Sequence, residues 1–149
     1  MSRTFWILGL AAVVACNTGY LPRSGRRVSV IMKDGAPALV RAGKNYPAGG
    51  LFPGDEVIGA VAGDAAAEAE LQTYRSQKAT GTVFLFTGLA GVVAAGVIRS
   101  GQDSTDSVAL SLSVFISGFI LQMVGLGFTQ SANNHLLDAV NIYNDDVER

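Results

Sequence analysis

The chain has 149 residues, a formal net charge of −1 and only 15% charged side chains, against about 25% in a typical soluble domain. That length fits one domain, and so small a net charge leaves no electrostatic footprint for nucleic acid, which is excluded as an expected partner. With 18 glycines and a mean hydropathy of +0.34, the composition points to membrane residence.

The first sixteen residues read MSRTFWILGLAAVVAC. Arg3 is a positive start, Phe5 to Val14 form an apolar run too short to span a bilayer, and Ala15-Cys16 close it with small residues. That order is the plan of a secretory signal peptide, with its positive end on the cytoplasmic side. Cys16 is the only cysteine, so an exported chain offers it no disulfide partner within itself. Val13-Val14-Ala15-Cys16 resembles the lipobox of bacterial lipoproteins. The resemblance implies cleavage before Cys16, a diacylglycerol on its sulfur and a usually acylated new N-terminus. Residues 1–15 are then the signal peptide, and Arg3 leaves with it, so 10 basic residues face 12 acidic ones in the mature chain. Several acyl chains hold a protein stably where a single one is marginal. No cofactor is expected beyond this covalent lipid. Asn17 stands where enterobacterial lipoproteins retained in the inner membrane carry aspartate.

Residues 16–26 read as a tether, with Pro22 and Gly25. In the next segment, 27–63, Val28, Val30 and Met32 alternate with their neighbours, Asp34-Gly35 suits a tight turn with positive φ, and Ala38 to Ala42 can return. A β-hairpin over 27–42 is expected, packed on something else because two strands alone are marginal. Gly43 to Gly50 read as a loop without the spacing of a phosphate-binding GxxxxGK[ST] motif. A short helix over 56–62 follows, ended by Gly63.

Asp64 is a good N-cap for the helix-rich run behind it, with Glu68 and Glu70 near the start and Arg75 and Lys78 further on. Charge then vanishes from Ala79 to Ile98, and again from Ser107 to Gln130. Twenty helical residues cover about 30 Å, the thickness of a bilayer core. Residues 99–106 read as the polar loop between the two spans. Beyond the second span, Leu136, Ala139, Val140 and Tyr143 mark one apolar helical face. The expected fold is therefore mainly α with a small β-hairpin: an antiparallel two-helix hairpin over 64–145, with candidate transmembrane spans at about 79–98 and 107–130. Leu71 and Tyr74 should meet the Leu136/Val140/Tyr143 face.

Small residues punctuate both spans. Thr87, Gly91 and Ala95 recur every four residues, with Gly88 and Gly96 on the same helix, while Ser111, Gly118 and Gly125 recur every seven. Such stripes let membrane helices approach closely, within this hairpin or between subunits of a homo-oligomer. Gln122 is the strongly polar residue near mid-span, and its amide should seek an interhelical partner. Neither span contains an ionisable residue, which argues against a pump.

Catalytic signals are weak. His135 with Asp138 one turn on is a ligand fragment, short of the three or four ligands a metal needs, so no metal is expected. Asp145/Asp146 and Glu68/Glu70 read as solvated helix surface, and no serine stands in a nucleophile-elbow motif. The run AVNIYNDD resembles helix ends of uncharacterised bacterial membrane proteins, which implies no activity; Asn144 fits there as a C-cap.

Together these features predict a non-catalytic envelope lipoprotein, a structural or accessory subunit of a membrane assembly. Its partners would be membrane lipid and either further copies of itself or an envelope protein. A lipidated N-terminus predicts a periplasmic head and tail, with the inner membrane favoured over the outer. The alternatives are a small oligomeric channel and a periplasmic binding module. The positive-inside rule selects no orientation, because Arg75 and Lys78 flank one end and Arg99 stands against two aspartates at the other.

Overall fold

A computed structural model describes residues 26–101 and 105–149. The signal peptide, Cys16 and the tether up to Gly25 lie outside the described residues. Three strands come first, β1 (Val28–Lys33), β2 (Ala36–Arg41) and β3 (Lys44–Pro47), then a 3-10 helix (Asp55–Val61), then α1 (Ala65–Gly101) and α2 (Thr105–Val147). The expected mainly helical hairpin with a small antiparallel sheet is what forms.

β1 and β2 pair antiparallel from Val28↔Arg41 to Lys33↔Ala36, around the Asp34-Gly35 turn. Both turn residues have positive φ, 52° and 78°, as a two-residue type I′ hairpin requires. The loop expected at 43–50 instead contains a third strand, with Leu39 opposite Tyr46. Ala42 and Gly43, at φ 50° and 77°, repeat the first turn geometry. An alanine pays a steric penalty there, so Ala-Gly is a poor turn signal where Asp-Gly is a strong one. β3 is an edge strand that ends in Pro47, where a missing N–H does no harm.

Asp64 caps α1: its Oδ1 accepts from the Ala66 and Ala67 amides, both at 3.0 Å, and Glu68 Oε1 accepts from the Gly63 amide at 2.9 Å. Helical structure covers most of the eight residues expected as a loop. α1 runs through Arg99 and Ser100, α2 has begun by Thr105, and 102–104 are not among the described residues.

One core joins the sheet, the 3-10 helix, the N-terminal half of α1 and the C-terminal half of α2. Val28, Leu39, Ala48, Val57, Val61, Leu71 and Tyr74 are buried with Leu136, Ala139 and Tyr143. The expected meeting of Leu71 and Tyr74 with the far face of α2 occurs here. Asn144 is no cap, because α2 continues to Val147. Its side chain instead clamps β1: Oδ1 accepts from the Val28 amide at 2.8 Å and Nδ2 donates to the Val28 carbonyl at 2.9 Å. Arg41 stacks 4.8 Å from the Tyr143 ring and donates to the Ala60 and Ala62 carbonyls at 3.4 and 3.3 Å. These contacts tie the sheet to the open end of the hairpin, opposite the connection between α1 and α2.

Candidate functional site: the apolar hairpin and its head

The helices meet along a seven-residue repeat on each. The buried positions of that repeat are Ala67, Tyr74, Gly81, Gly88 and Ala95 on α1 and Ser111, Gly118, Gly125, Ala132 and Ala139 on α2. Seven helical residues return within about 20° of the starting direction, so such a stripe faces one partner over many turns with a gentle left-handed supercoil. The glycines set the approach. A Cβ on Gly88 would lie 2.5 Å from the Gly118 carbonyl oxygen, and one on Gly118 would lie 2.7 Å from that of Gly88. Gly81 and Gly125 are reciprocal in the same way, each 2.8 Å from the other's carbonyl oxygen. This register brings Ala95 level with Ser111. In the other direction it sets Tyr74 against Ala132, both buried in the core.

The small residues singled out in the sequence therefore divide. Gly88, Ala95, Ser111, Gly118 and Gly125 are buried on the contact stripe, and Gly91 is half-buried, with its Cβ position 3.1 Å from Gly118 Cα. Thr87 is exposed and so is Gly96, so the four-residue repeat is not the packing repeat of α1. Each four-residue step rotates by about 40°, and two steps carry Thr87 off the face that holds Ala95. Gln122 touches the opposite helix through its stem, against the Cβ position of Gly88. Ser111 Oγ donates within its own helix to the Val108 carbonyl at 3.0 Å.

Both helices are long and apolar enough to cross a membrane, with mean hydropathy 2.0 in their most apolar stretches. Within those stretches only 22% of α1 residues and 17% of α2 residues are buried inside the protein. A core helix of a soluble domain would be mostly covered. Here Val83, Phe86, Val93, Phe115, Phe119 and Met123 face outward. The polar boundary of this belt falls at the same height on both helices: Lys78 precedes it on α1, and Gln130 follows it on α2. Phe84 and Phe128 stack there with ring centres 5.8 Å apart.

Above the boundary, His135 bridges the helices. Its Nδ1 lies 2.5 Å from Glu70 Oε2, and Gln77 Nε2 lies 3.1 Å from its Nε2. A single tautomer satisfies both contacts: Nδ1–H donates to the carboxylate, and bare Nε2 accepts from the amide. Asp138, exposed, brings a third ligand atom, and those of Glu70, His135 and Asp138 all lie within 4.8 Å of one another. The sequence marks His135 and Asp138 but gives no sign of Gln77, and Glu70, expected as solvated helix surface, is instead half-buried against His135. Only the register between the helices identifies them. Because the pair is about a third exposed, the bridge orients the helices more than it stabilises them.

Tyr74 is the deepest polar group of the head. Its hydroxyl donates to the Ala48 carbonyl, and burial pushes its pKa up to about 12. At the open end of the hairpin, a concavity of about 470 Å³ is lined by Asp64, Asp145, Asp146 and Arg149. Asp64 is already engaged there as the helix cap.

No family model matches this chain, and no curated protein or solved structure matches it either.

Proposed function

We propose that this is a non-catalytic, membrane-integrated lipoprotein of the bacterial envelope, serving as a structural or accessory subunit. One observation carries the membrane assignment: two paired helices whose most apolar stretches are left largely uncovered by the rest of the protein. Water would penalise that surface, whereas a bilayer about 30 Å thick matches the length of Ala79–Ile98. The glycine-paired seam makes the hairpin a preformed unit in lipid, where small residues and close backbones drive association.

The lipid anchor at Cys16 is compatible with the same membrane. Asn144, which holds Val28, stands fifteen residues beyond Thr129 on α2, about 22 Å above the polar boundary. The twelve residues from Cys16 to Val28 can reach about 40 Å when extended. An acylated Cys16 could therefore sit in the leaflet nearest the head. The absence of ionisable residues from both uncharged runs favours a scaffold over a translocating protein.

The test is a fatty-acid tracer applied to cells making the wild type or Cys16→Ala, followed by conductance recordings on the purified wild type in liposomes. Label on the wild type alone and silent bilayers are expected. An unlabelled wild type overturns the lipid anchor, and discrete conductance steps replace the scaffold with a channel.

A further inference from the structure

We propose that the segment 48–54, between β3 and the 3-10 helix, is a second membrane contact, with Leu51 and Phe52 seated in the boundary between acyl chains and headgroups. This rests on the hairpin crossing a bilayer and adds what sets its depth. Two hydrogen bonds hold the segment against α1. Thr82 Oγ1, buried at 3% exposure, donates to the Leu51 carbonyl at 2.8 Å. Higher up, Arg75 Nε donates to the Pro53 carbonyl at 3.1 Å while Nη1 pairs with Asp55 at 2.5 Å.

The height of the first tie is the decisive feature. Thr82 lies inside the uncharged run that starts at Ala79, so the Leu51 backbone is pinned below Lys78, the charge that precedes that run on α1. Although tied down, Leu51 and Phe52 remain 54% and 62% exposed. They are staggered along the helix axis. Leu51 borders a groove of about 290 Å³ with Leu85, Phe86, Leu89 and Gln122, all belt residues. Phe52 lies higher, beside Ser76 and Ala79. The two side chains thus continue the outward apolar surface of Val83 and Phe86. From Asn45 to Gly54 the segment carries no charge, while Arg75 and Lys78 stand at headgroup height. An apolar tip below a charged rim, here Lys78 and the Arg75–Asp55 pair, is the arrangement of a segment seated at a lipid interface.

Depth-resolved fluorescence tests this on the full chain in liposomes. Trp6, the only tryptophan, leaves with the signal peptide on cleavage, and Trp6→Phe keeps any uncleaved chain free of tryptophan as well. Into this background go Leu51→Trp, Phe52→Trp, Val93→Trp as the mid-belt reference and Leu137→Trp as an exposed apolar site in the head. Lipids brominated either near the headgroup or near the chain end act as quenchers. Expected are loss of Leu51→Trp and Phe52→Trp emission with shallow bromine, loss of Val93→Trp emission with deep bromine, and no loss for Leu137→Trp. If the two loop sites are unquenched while Val93→Trp is quenched, the loop contact is wrong and the membrane crossing stands. A blue-shifted but unquenched loop site means that protein covers it, which also overturns the contact. If Val93→Trp is unquenched too, the crossing itself fails.

Discussion

Gly118→Ala should open the hairpin, and Gly127→Ala should not. The added methyl at 118 would sit 2.7 Å from the Gly88 carbonyl oxygen, 2.9 Å from the Val92 nitrogen and 3.1 Å from the Gly91 carbonyl carbon. All three are backbone atoms of a rigid helix and cannot rotate away. Ordinary contact begins at 3.4 Å, so the helices must part locally by about 0.7 Å, which forfeits roughly a quarter to a half of the dispersion energy across that layer. Overpacking of this kind costs about 1–3 kcal/mol. At Gly127 the methyl meets nothing within 4 Å. There the substitution gains helix propensity, up to about 1 kcal/mol. The two variants should therefore differ by roughly 1–4 kcal/mol, in opposite directions from wild type. Spin labels at the outward-facing Val93 and Leu112 positions, in a Cys16→Ser background, report the interhelical distance during SDS titration in mixed micelles. Gly118→Ala should separate at lower SDS than wild type, and Gly127→Ala at equal or higher SDS. Equal midpoints for the two variants would refute the close-packed seam.

Tyr74→Phe leaves the buried Ala48 carbonyl without its donor and should cost the head about 1–3 kcal/mol, read as a lower thermal midpoint. Tyr74 also makes the head sensitive to alkali. A tyrosine in the unfolded chain ionises near 10 and Tyr74 near 12, so its contribution is intact below pH 10 and is lost as pH rises from about 10 to about 12. That loss amounts to about 2–3 kcal/mol, and a pH series of unfolding midpoints should be correspondingly flatter in Tyr74→Phe. Asn144→Leu removes both partners of Val28 and should cost about 1–3 kcal/mol, with faster amide exchange along β1 than along β2. Unchanged exchange at Val28 would show that the clamp does not hold the strand.

The features legible in the sequence are those with a strong local cause. Asp34-Gly35 names its own turn, Asp64 names its helix start, and two uncharged runs of helical length name the hairpin. The contact stripe of α2 was legible too, because Ser111, Gly118 and Gly125 are small residues among large ones at a true heptad. On α1 the same logic misled, since glycine, alanine and threonine are so dense that a four-residue and a seven-residue repeat can both be drawn. Only rotation around the helix separates them, and it favours Gly81, Gly88 and Ala95 over Thr87. β3 was hidden by a turn made of Ala42 and Gly43, and the role of Asn144 by its distance in sequence from Val28. Glu70 and Gln77 could not be joined to His135 before the register between the helices was known.

The most direct measurement is the sidedness of single cysteines placed along α1 in a Cys16→Ser background. Gln72→Cys lies in the head, Val93→Cys in the middle of the belt and Ser100→Cys at the far end. A membrane-impermeant maleimide applied to sealed vesicles, then to opened ones, reads each position. A hairpin that crosses the bilayer predicts labelling of positions 72 and 100 from opposite sides and none at position 93. Labelling of 93, or of 72 and 100 from the same side, would contradict it.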